Sequence, residues 1–156
     1  MVNGASQEKL KQVLSQCVES ECAGALLSGG STLEGKVPIL ESEQVIKEFK
    51  EKHPDFILNS HVGLINSLEA KKIKQIGIDV VSYDLVLDDE VIRDIFHLNK
   101  GKEDYVNTFK SLWNAGMEVV PHILVGAKYG KLDTEWRNIL FLKDFFDHNL
   151  NNEHKN

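Results

Sequence analysis

Cysteine is scarce in this 156-residue sequence, which contains only Cys17 and Cys22. Their C-x4-C spacing is not a standard zinc or thioredoxin pattern, and two sulfurs are too few for an iron–sulfur cluster held by cysteine alone. We interpret them as two reduced, partly buried thiols.

Long apolar runs are also missing: no stretch approaches the ~20 residues of a membrane-spanning helix. The polar start MVNGASQEKLKQ lacks a signal-peptide core, so we expect a cytoplasmic protein.

An excess of positive charge is absent as well. The formal net charge is −6 and the isoelectric point is near 5.5. This balance argues against general electrostatic binding to nucleic acid or to an anionic membrane.

The sequence also contains no G-x-S-x-G, Walker A or dinucleotide G-x-G-x-x-G motif. Ser28 has no evident paired base, so hydrolase chemistry has no support.

The composition is that of a globular domain, with 42% hydrophobic and 27% charged residues. We expect one β/α domain over residues 1–150 and a frayed tail over residues 151–156. Helical spacing of apolar residues predicts six helices, with Ser6 as the first N-cap: Ser6–Glu21, Glu41–Glu51, Asn66–Ile76, Asp88–Phe96, Lys102–Ala115 and Thr134–His148. Short apolar runs predict four strands: Ala23–Leu27, Phe56–Ser60, Ile78–Ser82 (opening the run IDVVSYDLVL) and Met117–Val125.

Alternation of strands and helices predicts an α/β fold, and strands that are apolar on both faces favour a parallel sheet covered by helices. Gly77 and Gly116 each end a helix just before an inner strand. About four parallel strands are too few to close an eight-stranded barrel. We therefore predict a partial (β/α) barrel, whose edge strands favour cover by a terminal helix or another subunit, such as a homo-oligomer partner.

Polar or glycine residues stand near the end of every predicted strand. In parallel β/α folds the carboxyl ends of the strands form the ligand site, so we expect them to converge on one rim. They are Ser28, Gly29, Gly30 and Ser31 on the first strand, Asn59 and His61 on the second, Ser82 and Asp84 on the third, and His122 and Gly126 on the fourth. Lys128 follows the fourth strand.

Each of these residues also has a purely structural interpretation. The glycine pair is typical of an ordinary turn, His61 and His122 of structural histidines, and Asp84 of a solvated turn. Lys100 and Lys102 are typical of a solvated segment. A metal site formed by His61, Asp84 and His122 is chemically conceivable, but their spacing does not require one and we assign no metal ligand.

Three stretches resemble the radical S-adenosylmethionine superfamily, especially its biotin-synthase-like branch. They are LLSGGS, FILNSHVGLINSLEAKKIKQIGIDVVSYDLVL and DEVIRDIFHLNKGKEDYVNTFKSLWNAGMEVVPHILVGAKYGK, which together cover most of Leu26–Lys131. The unit KEDYVNTFKSLWNAGMEVVPHILVG is the most specific of these matches, whereas the glycine pair alone would not be specific.

The resemblance implies a set of S-adenosylmethionine contacts. Ser28–Gly30 would match the strand end that touches the methionine amino group, with Ser31 where an acidic residue is common. Ser82 or Asp84 would match a polar ribose contact, and Lys100 or Lys102 a basic partner of the cofactor carboxylate. The segment HILVG at 122–126 resembles the glycine-containing strand near the adenine.

The family's C-x3-C-x2-C loop, whose three thiolates hold a 4Fe–4S cluster, is absent from this sequence. The first and sixth strands of the usual six-stranded partial barrel also look missing. Reductive cleavage of the cofactor then has no electron source, and we expect no such cluster from this chain alone. The chain is then a natural remnant, one half of a split enzyme with a cluster-bearing partner chain, or a fragment of a longer protein.

Three functions follow from these observations. The first is a radical S-adenosylmethionine-like domain that binds a small molecule or forms part of a split or truncated enzyme. The second is a non-catalytic binding or scaffold module. The third is an unrelated β/α-barrel lyase, for which Lys128 would supply Schiff-base chemistry. The sequence identifies neither the reaction nor the substrate.

Overall fold

Four strands and five α-helices alternate along residues 7–153, which are the residues that the computed structural model describes. The strands are β1 (Gly24–Leu27), β2 (Ile57–Ser60), β3 (Val80–Asp84) and β4 (Glu118–His122). The helices are α1 (Gln7–Glu19), α2 (Glu43–Lys52), α3 (Ser67–Gln75), α4 (Lys102–Asn114) and α5 (Glu135–Glu153). A short 3-10 helix (Ile39–Ser42) precedes α2, and a π-helix (Val91–Ile95) precedes α4.

All neighbouring strands are parallel and lie in the order β1-β2-β3-β4. This is the sheet of an α/β partial barrel, and it confirms the predicted fold class. The order follows the chain because each helix carries the chain back to the start of the next parallel strand. All four carboxyl ends therefore lie at one rim, where the sequence places its polar residues.

The two faces of the sheet differ more than the sequence suggests. The packed face carries buried side chains such as Leu27, Leu58, Val81 and Tyr83, which join the core beneath the helices. We call the other side the open face; strand register and side-chain alternation place on it Leu26, Ile57, Asn59, Val80, Ser82, Asp84, Glu118, Val120 and His122. Leu26, Ile57 and Val120 remain about half exposed. The strands were expected to be apolar on both faces, but the open face also carries polar residues, because the helices of a partial barrel lie on its outside.

The predicted helix ends at Gly77 and Gly116 are confirmed. Both glycines have positive φ, 97° and 72°, the conformation in which a glycine ends a helix without a Cβ clash. At its other end α3 begins with a capping box: Asn66 Oδ1 accepts from the Glu69 N–H, and the Glu69 carboxylate accepts from the Asn66 N–H.

Several predicted bounds were wrong. β4 ends at His122 and not at Val125, so Gly126 lies in the loop beyond the strand. β3 begins at Val80 and not at Ile78; it carries Ser82 and Asp84, as predicted. The segment predicted as the helix Asp88–Phe96 contains the shorter π-helix. The predicted N-cap Ser6 lies outside the described residues. α5 extends past His148 to Glu153 and overlaps residues 151–153 of the predicted tail, while residues 154–156 lie outside the described residues.

Helix α5 lies against α4 through aromatic side chains. Phe109 of α4 contacts Phe141 and Phe145 with ring centroids 5.7 and 5.1 Å apart. Asn138, which is buried, ties α5 to the segment after β3: its Oδ1 accepts from the Leu87 N–H at 3.1 Å and its Nδ2 donates to the Leu85 carbonyl at 3.0 Å. Within residues 7–153, no helix has both the length and the apolar character needed to cross a membrane.

Candidate functional site

A cavity of about 450 Å³ opens at the carboxyl ends of the strands. This volume is within the usual range for small-molecule sites. Six residues singled out in the sequence line it: Ser28, Gly29, Ser31, His61, Ser82 and Asp84. They come from β1, β2, β3 and the loops that follow, and the shared direction of the strands brings them together.

Asn59 joins β2 to β3 beside this cavity. The regular pairing of the two strands covers only Asn59 with Val80 and Ser60 with Val81. Beyond that point the Asn59 amide replaces the backbone ladder: its Oδ1 accepts from the Ser82 N–H at 3.1 Å, and its Nδ2 donates to Ser82 Oγ at 2.9 Å. Asn59 therefore positions Ser82, which lines the cavity, and does not line it itself.

Two histidines flank the carboxylate of Asp84 at the end of β3. His122 Nδ1 lies 3.5 Å from Asp84 Oδ1, and His61 Nδ1 lies 4.0 Å from Asp84 Oδ2. The imidazole rings are 5.7 Å apart and inclined at 65°. His122 and Asp84 are about half exposed, so the group faces solvent at the rim. Such a cluster offers a carboxylate that accepts hydrogen bonds and two imidazoles that can donate or accept them.

The glycine pair on the β1 side of the cavity is not required by the local backbone. Neither Gly29 nor Gly30 has a positive φ. A Cβ added at Gly30 would meet no atom within 4 Å, and one at Gly29 would touch only Val37 at 3.8 Å. The interpretation as a turn that demands glycine is therefore not supported, and the missing side chain of Gly29 leaves open space at the cavity.

Gly63, which also lines the cavity, is required for backbone reasons. Its φ is 64°, and a Cβ there would collide with the carbonyl oxygen of Gly35. The chain crosses itself at this point, because Lys36 and Gly63 form an isolated antiparallel bridge. No local pattern in the sequence predicts this contact, because it depends on Gly35 and Gly63, which are 28 positions apart and are brought together by the fold.

The lining of the cavity also includes apolar and aromatic residues, which sequence reasoning missed. They are Val37, Leu64, Tyr83, Phe96, Leu98 and Tyr105. Burial, and then the negative charges of Asp84 and Asp104, raise the pKa of Tyr105 to about 12. The phenol therefore stays neutral at physiological pH. In the sequence these residues look like ordinary core positions, so only the tertiary structure identifies them as lining residues.

Four more predicted residues do not line this cavity: Gly30, Lys100, His122 and Gly126. Gly30 follows Gly29 in the chain, and His122 lies beside Asp84. Lys100 lines a neighbouring cavity of about 460 Å³, and its Nζ is 2.9 Å from Glu34 Oε2. Gly126 turns with φ 72°, and its N–H donates to Glu135 Oε1 at 2.6 Å. Glu135 thus holds the loop after β4 to the start of α5, and the Gly126 amide has a partner within the protein.

Lys128 is surrounded by carboxylates. Its Nζ lies 2.7 Å from Glu90 Oε2 and 3.6 Å from both Asp88 Oδ2 and Asp133 Oδ2. The hydrogen bond to Glu90, followed by the charges of these carboxylates, raises the pKa of the Lys128 ammonium. A Schiff base requires the neutral amine, so this environment argues against the lyase alternative.

No three His, Cys, Asp or Glu side chains between residues 7 and 153 are arranged to hold a metal ion. Cys17 and Cys22 precede the amino end of β1, whereas the cavity lies beyond its carboxyl end. With two cysteines in the whole sequence, this donor set does not fit a three-thiolate iron–sulfur cluster.

Two solved structures share this arrangement of strands and helices. The FeFe-hydrogenase maturase HydG aligns with a TM-score of 0.59 and 16% identity, over 79% of this chain and 29% of its own. Methylornithine synthase (PylB) aligns with a TM-score of 0.63 and 16% identity, over 78% of this chain and 36% of its own. The chain shares the α/β partial-barrel fold of these two proteins. At this identity the likeness shows the fold alone.

The chain spans about a third of the length of these two structures. No family model matches the sequence, and no curated protein matches it. The fold and the cavity therefore provide the basis for any functional assignment.

Proposed function

We propose that this chain is a radical S-adenosylmethionine-like domain that binds an S-adenosylmethionine-type small molecule at the carboxyl ends of its strands. The observation that carries the proposal is the open space at Gly29, which lines a cavity bounded by both polar and apolar residues. A glycine pair that the backbone does not need is consistent with close approach of a ligand.

The lining residues fit the chemistry of such a ligand. Asp84 and Ser82 offer acceptors for ribose hydroxyls, and the Ser28–Ser31 segment offers backbone groups to the methionine end. Phe96 and Leu98 add apolar surface for the adenine. Tyr105 is uncharged and buried, so it brings no charge to the cavity. S-adenosylmethionine, when bound, would supply a sulfonium with an activated methyl or adenosyl carbon.

Cluster-dependent chemistry does not fit this sequence by itself. A 4Fe–4S cluster needs thiolates at the rim, and the two cysteines lie beyond the other end of β1. We propose that any such thiolates come from a partner chain or from another part of a longer protein. The exposed apolar residues of the open face, Leu26, Ile57 and Val120, would be covered in that assembly.

Calorimetric titration of S-adenosylmethionine into the purified chain tests the binding. Gly29→Val should abolish binding and leave the fold intact, since Gly29 lines the cavity and a Cβ there would touch only Val37, at 3.8 Å. Leu33→Val, at a residue that is 94% exposed in the same loop, serves as the control and should bind as the unaltered chain does. Equal affinity of Gly29→Val and the unaltered chain would contradict the assignment of the ligand to the glycine pair.

A binding module without chemistry is the second candidate, and the unsuitable donor set favours it. Reconstitution with iron and sulfide, alone and with candidate partner chains, separates the two. A brown cluster-bearing complex supports the split enzyme, whereas ligand binding without a cluster in every combination supports the binding module.

A further inference from the structure

The end of α1 brings the two cysteines of the sequence together. The N–H of Cys22 donates to the carbonyl of Cys17 at 3.0 Å, and the N–H of Glu21 donates to the carbonyl of Val18 at 2.9 Å. Glu21 has a φ of 56°. These features define a Schellman motif, in which the last turn of a helix closes through a left-handed residue.

This motif places specific side chains in contact. The residue two positions before the last helical residue and the residue just after the left-handed one pack against each other, and that contact is usually hydrophobic. Here the two positions are Cys17 and Cys22, so the backbone of the motif sets their side chains next to each other. Both thiols are free; Cys17 is partly buried and Cys22 is exposed.

We propose that Cys17 and Cys22 form a reversible intramolecular disulfide that locks the turn between α1 and β1. The two thiols have different accessibility, which defines the order of reaction. Exposed Cys22 is open to a small oxidant, whereas Cys17 lies against the core, adjacent to the sulfur with which it would pair. The inference is independent of the cavity and its ligand.

With a low-molecular-weight disulfide as oxidant, the exchange has two steps. Cys22 loses its proton to solvent, and its thiolate attacks the oxidant; a mixed disulfide forms and one small thiol leaves. Cys17 then loses its proton, and its thiolate attacks the Cys22 sulfur; the protein disulfide forms and the second small thiol leaves. Two protein thiols are oxidised, and one small disulfide is reduced to two thiols.

Mass spectrometry after incubation of the whole chain with oxidised glutathione tests the proposal. The unaltered chain should lose the mass of two hydrogens and retain no glutathione. Cys17→Ser should hold a lasting glutathione adduct on Cys22, because no second thiol is present to displace it. Cys22→Ser should react slowly, because Cys17 is partly buried. A lasting adduct on the unaltered chain, or disulfide-linked pairs of chains, would overturn the proposal.

Substitution of Glu21 tests the role of the helix end. Glu21→Gly keeps the left-handed conformation and should close the disulfide at least as fast as the unaltered chain. Glu21→Val disfavours positive φ and should prolong the mixed disulfide by about tenfold. Equal lifetimes in the two variants would show that the motif does not bring the thiols together. Amide exchange in the last turn of α1 should slow on oxidation of the unaltered chain.

Discussion

The amide of Asn59 makes two hydrogen bonds with Ser82, one to its backbone N–H and one to its hydroxyl. These bonds hold β2 beside β3 where the regular ladder between them ends. A second side chain does the same on the amino side: Asp79 Oδ2 accepts from the Leu58 N–H at 2.8 Å. The β2–β3 junction therefore depends on a side chain at each end, and the one at the carboxyl end, Asn59, is adjacent to the ligand cavity.

Asn59→Ala should lower the free energy of unfolding by about 1–3 kcal/mol, because it leaves the N–H of Ser82 without its partner in a nearly buried setting. Asn59→Asp is the matched control, since a carboxylate still accepts from that N–H and the Ser82 hydroxyl can donate to it. Urea denaturation measures both variants. Equal stability of Asn59→Ala and the unaltered chain would mean that the β2–β3 pairing does not need this amide.

Substitution of Gly63 and of Gly30 should have different effects on stability. Gly63→Ala should destabilise the chain by more than about 1 kcal/mol, because an alanine there is strained by its positive φ and collides with the Gly35 carbonyl. Gly30→Ala should stay within about 0.5 kcal/mol of the unaltered chain, as is usual for substitutions without a structural constraint. Thermal unfolding compares them, and a loss of stability in Gly30→Ala would show that the backbone needs this glycine after all.

Local signals in the sequence were sufficient for the alternation of elements and for the helix ends at Gly77 and Gly116. A helical period and a terminal glycine involve only neighbouring residues. The end of β4 was not predictable in this way, because Ile123, Leu124 and Val125 continue an apolar run. The strand ends where its pairing with β3 ends, at Asp84 and His122, and the chain then turns at Gly126, whose amide is bonded to Glu135 from the next helix.

The sequence predicted where the site lies better than it predicted which residues line it. The rule that parallel strands present their carboxyl ends together brought Ser28, His61 and Ser82 to one cavity. It could not show that Lys100 pairs with Glu34 outside that cavity. Nor could it identify Tyr105 as a lining residue, since an aromatic residue at helical spacing looks the same whether it faces the core or a cavity.

Asp84→Asn should weaken S-adenosylmethionine binding by about 10- to 100-fold, which is the expected effect of losing a charged hydrogen-bond acceptor. Because Asp84 is half exposed and its neighbours are His61 and His122, the fold should not depend on its charge. Calorimetry measures the affinity, and circular dichroism checks the fold. Glu118→Gln, on the open face at the opposite end of β4, is the control and should bind normally. Unchanged affinity in Asp84→Asn would remove Asp84 from the proposed site.

The buried phenol of Tyr105 predicts a loss of stability at alkaline pH. In the unfolded chain Tyr105 ionises near pH 10, whereas burial and the nearby carboxylates raise its pKa to about 12 in the folded protein. The folded state binds this proton more tightly, so the favourable contribution is complete below pH 10 and is lost as the pH rises toward and past 12. The free energy of unfolding, measured by urea denaturation from pH 9 upward, should fall across this window. The free energy of unfolding of Tyr105→Phe should fall less steeply, because this variant lacks one of the two phenols whose pKa is raised, while Tyr83 remains. Parallel curves for the two proteins would contradict this prediction. They would show that Tyr105 ionises alike in the folded and unfolded states, and therefore that its hydroxyl is open to water.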